Sequence, residues 1–295
     1  MLNTINVNKI AFNKGLRKEK RKLLKRYNVQ AIIKWTGWKS NAYLHYSRED
    51  YANVNLVFIL REIFDGRFRE QNYKNYKKFQ ILKMESEIGV KMCEGTSLDS
   101  FREVFIDRIY SMYSDFIPSE KDVVLDIGAQ HGDYAILCSK FFHCKKVYSF
   151  EPLPNNAEIF RNNLIANNVK NVDFFPTAIS DKDGSLKIYY EGDMLKKSQI
   201  GKELIIETKR IDSLDLQSCT FIKIDVEGFE LEVLGGALNV IRKYKPKLII
   251  ETHSLSLRKK TEEFLSQFGY TISHEGRGTW VNENGMDYVQ NLFFS

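Results

Sequence analysis

From residue 121 onward the apolar positions alternate between short runs and helically spaced stripes. Val123–Ile127 ("VVLDI") is a run of strand length closed by Gly128, and "KVYSF" from Lys146 repeats the device. Between them, residues 133–142 ("DYAILCSKFF") predict a helix. A second helix follows over 156–168, with Ile159, Phe160, Asn163 and Leu164 around the turn. Residues 171–180 ("NVDFFPTAIS") predict a third strand, and 183–192 a hairpin arm opened by Asp183-Gly184. "TFIKIDVEG" (220–228) predicts the fourth core strand, and 230–244 one helix with Leu231, Leu234, Leu238 and Ile241 on one face. "PKLIIETH" (246–253) predicts a fifth strand, 258–270 a helix, and 270–276 and 288–295 two closing strands. Strands alternating with helices bury both faces of a mostly parallel, doubly wound α/β sheet, and the closing strands add an antiparallel edge.

Upstream the pattern is less regular. Residues 1–77 hold none of the five prolines and are rich in Lys, Asn and Tyr, with helical candidates over 14–34 and 50–65. They are read as a basic, mainly helical N-terminal extension preceding a domain over 78–295, whose Rossmann-like core spans 121–295. Residues 78–92 alternate enough to suggest a strand pair. Residues 96–114 open on a Ser/Thr cap, followed by Phe101, Val104, Phe105 and Ile109 at helical spacing. Charge sharpens the division. Residues 1–100 carry 20 Lys and Arg against 10 Asp and Glu, whereas the whole chain is only +6. Eight of those basic residues fall within 14–27. That segment is either a solvated helix face or a contact for RNA or an anionic membrane surface. No apolar run approaches the roughly 18 residues of a membrane span, and no signal-peptide core opens the chain, so a cytoplasmic protein is expected. The four cysteines form no C-x-x-C and are read as reduced and structural.

In such a sheet, ligands bind beyond the carboxyl ends of the strands. The residues with chemistry fall there: Asp126 and Gly128 after the first strand, Glu151 after the second, Asp225 and Glu227 after the fourth, Glu251 and His253 after the fifth. Gly128 and Gly132 permit a tight turn and close backbone approach to a ligand. A carboxylate at Asp126 would repel a pyrophosphate but attract the ammonium and sulfonium of S-adenosyl-L-methionine. Glu151, at the end of the second strand, suits a ribose diol. The absence of G-x-G-x-x-G argues against a dehydrogenase.

The segments "VVLDIGAQHGDYAI", "VYSFEPLPNNAEIFRNNL", "FFPTAISDKDGSL", "RIDSL" and "FIKIDVEGFELEVLGGA" resemble the FkbM family of S-adenosylmethionine-dependent methyltransferases over roughly residues 95 to 295. The resemblance implies a class I methyltransferase fold with a reversed final strand, and O-methylation of a sugar, glycan or secondary metabolite. By position it places Asp126, Gly128, Gly132 and Tyr134 along the methionine side of the cofactor, together with the intervening Ala129 and Gln130. Glu151 then falls on the ribose, and Thr177 and Ala178 flank the adenine. The basic first third has no counterpart in the family, and an RNA methyltransferase tethered through 14–27 is the alternative reading.

Methyl transfer to an alcohol needs the acceptor oxygen held in line and its proton removed. Asp225, Glu227, His253 and Lys223 are the catalytic candidates. Lys223, two residues before Asp225, is placed to pair with the acids. Asp225 and Glu227 alone lack a third ligand for a cation, so no metal site is expected. Glu230 is read as a helix-dipole residue, His131 as a solvent-side loop residue, and Tyr110 and Tyr113 as packing residues.

Overall fold

The computed structural model describes residues 3–8, 30–36, 39–46 and 85, and, from 88 on, all residues except 192–193, 197–201, 277–278 and 282–286. The chain divides into two units, Met1–Ser86 and Glu87–Ser295. In the first, β1 (Asn3–Asn8), β2 (Gln30–Thr36) and β3 (Lys39–Tyr46) form an antiparallel sheet in the order β1-β3-β2. The helix expected over 14–34 therefore gives way to a strand from Gln30. Ile32, Ile33, Trp35 and Thr36 are strand formers, and their cross-strand pairing overrides the helical spacing. The basic segment 14–27 and the candidate helix 50–65 lie outside the described residues.

The strand pair expected over 78–92 is not formed by 88–92; residues 78–84 lie outside the described residues. The backbone here pairs with side chains instead. Lys91 N–H donates to Asn167 Oδ1 (2.9 Å), Asn167 Nδ2 donates to Lys91 O (2.8 Å), and Cys93 N–H donates to Asn163 Oδ1 (2.9 Å). Helix α1 (Leu98–Phe105) then begins at Ser97, whose side chain accepts from Ser100 N–H.

The main sheet runs β13-β15-β12-β11-β4-β5-β6, with β14 (Thr279–Val281) paired to β15. Strands β4 (Val123–Ile127), β5 (Lys146–Phe150), β6 (Val172–Phe175), β11 (Phe221–Ile224) and β12 (Lys247–Thr252) are parallel. β15 (Asp287–Phe294) runs antiparallel to β12 and to β13 (Ile272–Glu275). This is the doubly wound class I methyltransferase order with its reversed strand. The third predicted strand splits at Pro176, which has no N–H to continue a ladder. Its second half, β7 (Ala178–Ile179), joins a smaller sheet with β8 (Gly184–Glu191), the expected hairpin arm, and with β9 (Met194–Lys196) and β10 (Lys202–Lys209), which the sequence pattern left unassigned.

Helix α2 (Asp133–Ile136) continues as a π-helical turn over Leu137–Phe141, and α3 (Pro154–Ala166) links β5 to β6. The helix predicted over 230–244 is two: α4 (Glu230–Gly235) and α5 (Leu238–Tyr244). The break is at Gly236, where a Cβ would stand 2.0 Å from Ser180 O. Asp212 caps the new start by accepting from Asn239 and Val240 N–H. Helix α6 (Leu255–Ser266) follows β12. No helix among the described residues is long and apolar enough to cross a membrane.

The strands alternate between two cores. Leu125, Ile127, Ile222, Ile224, Leu248 and Ile250 face one, while Val124, Val147, Phe221 and Ile249 face the other. On the second face the apolar character stops at the carboxyl edge. The register aligns Ser149, Asp126, Lys223 and Ile249 in one row. Two residues further along each chain come Glu151, Gly128, Asp225 and Glu251. The same alternation that builds the core thus delivers two polar rows to one edge of the sheet.

Gly128 sits where β4 and β11 nearly touch, at φ +79°, and a Cβ there would lie 1.7 Å from Asp225 O. Gly269 has a similar φ of +80° with open space around it. Gly269→Ala should therefore cost about 1 kcal/mol, the left-handed penalty alone, and Gly128→Ala about 3 kcal/mol or more, because backbone must also move. Equal losses on urea unfolding would contradict the close approach.

Candidate active site

The carboxyl ends of β4, β5, β11 and β12 open onto a cavity of about 520 Å³. Lys223 lies at its base and is 2% exposed. Its ammonium donates to Gly128 O (2.8 Å) and stands 3.4 Å from Asp126 Oδ1 and 3.8 Å from Asp225 Oδ2. It also lies 5.3 Å from the ring centre of Tyr110. Burial pushes the Lys223 pKa down, but the carboxylates of Asp126, Asp225, Asp133 and Glu251 outweigh it, and the net direction is upward. The ammonium stays charged. Burial also raises the Asp126 carboxyl, with Lys223 opposing.

At one end of the cavity stand Gly128, Gln130, Glu151, Thr177 and Ala178 of the predicted cofactor set, with Asp133 beside them. Glu151 is held by three donors: Gln130 N–H (3.1 Å), Leu153 N–H (2.9 Å) and Asn156 Nδ2 (3.2 Å). Burial nonetheless lifts its pKa to about 7. Burial lifts Asp133 to about 7 as well; it accepts from Tyr134 N–H (2.6 Å) and from the Ser100 hydroxyl. Phe150, Leu153, Ile179, Ile188 and Ile206 form an apolar wall. The rest of the predicted set, Asp126, Ala129, Gly132 and Tyr134, lies beneath the lining. Asp126 is fully buried in the ion pair with Lys223, and Tyr134 is fully buried with its ring edge-on to Tyr110.

The other end brings together Asp225, Glu227, Glu251 and His253. Tyr110 donates to Asp225 Oδ2 (2.8 Å), so this residue belongs to the site as well as to the packing. His253 Nε2 faces three carboxylates, at 3.5 Å from Glu227 Oε2, 3.6 Å from Glu251 Oε1 and 3.8 Å from Asp225 Oδ1. Its Nδ1 lies 2.9 Å from Oε1 of Glu230, a fully buried carboxylate. Burial opposes the charge on His253, but Glu230, Asp225 and Glu227 raise it to about 10. Burial and the nearby Asp225 push Glu251 up to about 8, with His253 opposing. Strand β11 ends at Ile224, and Glu227 follows at φ 54° with Gly228 at φ 100°. A glutamate held in the left-handed region is strained, and such strain concentrates at functional sites.

Two sequence readings change. His131 is 1% exposed rather than solvent-facing, because its Nδ1 accepts from Ser97 N–H (2.9 Å) at the start of α1. Glu230 is more than a helix-dipole residue, since its carboxylate orients His253. Asp133 went unread because nothing in "GDY" distinguishes a lining acid from a cap. Glu251 was visible as a strand-end acid but received no role. Its signal was the same-face spacing of Glu251 and His253 in "IIETH".

Residues 126–272 match the model of the methyltransferase FkbM domain. The hexuronic acid methyltransferase AglP of Haloferax volcanii is 29% identical over 161 residues, covering 50% of this chain and 63% of that protein. The methyltransferase sdnD of Sordaria araneosa is 24% identical over 222 residues, covering 61% of this chain and 84% of that protein. Among solved structures, an FkbM methyltransferase from Methylobacillus flagellatus aligns with a TM-score of 0.44 and 17% identity, over 79% of this chain and 65% of that one. The chain thus spans less than two thirds of the length of the Haloferax relative. With its domain match at residues 126–272, the strand order described above and a cavity at the carboxyl edge, the chain belongs to the FkbM family of S-adenosylmethionine-dependent methyltransferases.

Proposed function

We propose that this chain O-methylates a hydroxyl of a polyhydroxylated acceptor, a sugar or glycan. The observation that carries this reading is a single cavity with a buried carboxylate and apolar wall at one end and a carboxylate–imidazole cluster at the other. The first end fits S-adenosylmethionine by the chemistry of its donors. Glu151 suits the ribose hydroxyls, the Gly128–Gln130 backbone the methionine portion, Asp133 its positive charge, and the slot by Thr177 and Ala178 the adenine. One relative is named for a hexuronic acid, a sugar acid rich in hydroxyls.

When bound, S-adenosylmethionine supplies a methyl group on a sulfonium, which an acceptor oxygen displaces with S-adenosylhomocysteine as the leaving group. The protein's part is positioning and proton removal. The Tyr110 hydroxyl fixes one oxygen of Asp225 and leaves the other facing the acceptor end. Glu227, whose side chain is 32% exposed, more than those of Asp225 and His253, takes the proton as the new C–O bond forms. His253, charged and oriented by Glu230, keeps the neighbouring carboxylates from repelling one another. Lys223 is a positioning residue, holding the Gly128 loop and Asp225 together. The Glu227 turn is a second mark of this role, because a residue without a use for its carboxylate would gain by being glycine there.

Calorimetry with S-adenosylhomocysteine should show one site on the purified chain, and no binding would overturn the reading. Glu151 sets a pH dependence. A ribose diol favours the ionised carboxylate, so the complex binds fewer protons than the free protein. Affinity should therefore rise with pH up to about 7, the pKa of the free carboxyl, and level off above it. Glu151→Gln should weaken binding and make the profile shallower, leaving the part due to Asp133, whose carboxyl also stands at about 7; an unchanged profile would remove Glu151 from the cofactor end. Glu227→Gln should leave S-adenosylhomocysteine affinity intact while lowering turnover of a glycoside acceptor by roughly 10²–10⁴-fold. Equal turnover in both proteins would place the proton elsewhere.

A further inference from the structure

We infer that Asp225, Glu251 and His253 form a divalent-cation site at the acceptor end of the cavity. One oxygen from each carboxylate and one ring nitrogen lie within 4.8 Å of one another. The sequence pattern hid this set, because it looks for a third ligand near Asp225 and Glu227. The second and third ligands arrive from the adjacent strand, 26 and 28 residues after Asp225.

Three features separate the cluster from a group of acids that merely share an edge. The first is spacing. The three carboxylate oxygens stand 3.5 to 3.8 Å from His253 Nε2. A charge-assisted N–H···O bond closes to about 2.7–2.9 Å. Ligand atoms each about 2.1 Å from a shared ion stand roughly 3.0 Å apart at right angles and about 3.6 Å apart at 120°. Asp225 Oδ1 and Glu251 Oε1, at 3.8 and 3.6 Å from Nε2, are thus set off from the ring nitrogen as neighbours in a coordination shell are, and a single N–H could point to only one of them.

The second feature is orientation. His253 Nδ1 is engaged by Glu230 Oε1 at 2.9 Å, and Gly228 N–H holds that same oxygen at 3.0 Å. The other oxygen of this fully buried carboxylate, Oε2, accepts no hydrogen bond among the described residues. A histidine whose second nitrogen is fixed by a buried carboxylate is the arrangement that presents an imidazole to a metal. Tyr110 plays the matching part for Asp225: it engages Oδ2 and leaves Oδ1 toward His253.

The third feature is charge. Asp225, Glu227, Glu230 and Glu251 all lie within 4.0 Å of one imidazole. Among the described residues, the other cation on this group is Lys223, which Asp225 shares with Asp126. Coordination through Nε2 releases the proton that the ring carries in the free site, and the dication takes over the charge that offsets these carboxylates. One imidazole and two carboxylates suit Mn²⁺, with Mg²⁺ binding more weakly, and three protein ligands leave positions open. Resting on the proposed methyl transfer, those positions take two adjacent hydroxyls of the acceptor. The cation then eases loss of the hydroxyl proton to Glu227, which is outside the ligand set.

The test is direct binding to the full chain after treatment with a chelator. Mn²⁺ titrated in and followed by its paramagnetic resonance should occupy one site. Glu251→Gln and His253→Gln should each weaken it at least tenfold while far-ultraviolet circular dichroism stays unchanged. Because either variant could fold poorly, the parent protein supplies a second readout: bound Mn²⁺ should show coupling to one imidazole nitrogen. Absence of a site, absence of that coupling, or binding unchanged in both variants would overturn the inference. S-adenosylhomocysteine titrated in the presence of chelator separates the two proposals. Binding there without a Mn²⁺ site sinks the cation and leaves methyl transfer standing; a Mn²⁺ site without that binding does the reverse.

Discussion

A buried ammonium is the constraint on which the site depends. Lys223 belongs by parity to an apolar face of the sheet, between Phe221 and the cavity, and a charge there is costly unless it is matched. It is matched by Asp126 across the parallel register, by the carbonyl of Gly128 and by Asp225. Those contacts hold together two strand ends that would otherwise be joined mainly by their ladder. They also explain why the glycine loop and the acid turn are found at fixed separation. Asp126, which on charge alone looks like a ligand for the cofactor, is used one layer down as the counter-ion of the lysine.

The second polar row is built on that base. Glu151 and Gly128 face one end of the cavity, and Asp225 and Glu251 face the other, all from one parity of four strands. Burial raises the carboxyls of Glu151 and Glu251, yet the backbone and side-chain donors around Glu151 and the imidazole near Glu251 pull the other way. Their environments therefore differ although their places in the sheet are alike. His253 joins the second end together: oriented by Glu230 from α4, it faces carboxylates from β12 and from the turn after β11.

Much of this was legible in the chain. The five parallel strands, the reversed edge and the placing of acids at strand ends follow from hydrophobic periodicity and from the rule that such sheets bind ligands at their carboxyl edge. What periodicity could not give was depth. Asp126 and Tyr134 read as lining residues because a motif fixes sequence position, not which layer a side chain occupies. Nor could it give cross-strand company. Lys223 was expected to serve the acids beside it in sequence, and its main partner is on another strand. The break at Gly236 also escaped, since it depends on a neighbour remote in sequence, Ser180 O; the one at Pro176 is local, but the pattern reads through it as one strand. In the first unit, cross-strand pairing of β2 with β3 overrides helical spacing.

The central claim, that the Lys223–Asp126 pair organises the strand ends, is tested most directly by a double-mutant cycle on unfolding free energy. Lys223→Met leaves buried carboxylates unmatched and should cost about 3–5 kcal/mol. Adding Asp126→Asn removes part of that unmatched charge, so the double variant should be more stable than the sum of the two single losses by about 1 kcal/mol or more, the coupling of a buried pair. Losses that add to within about 0.5 kcal/mol would show the two residues to be independent and would contradict the account.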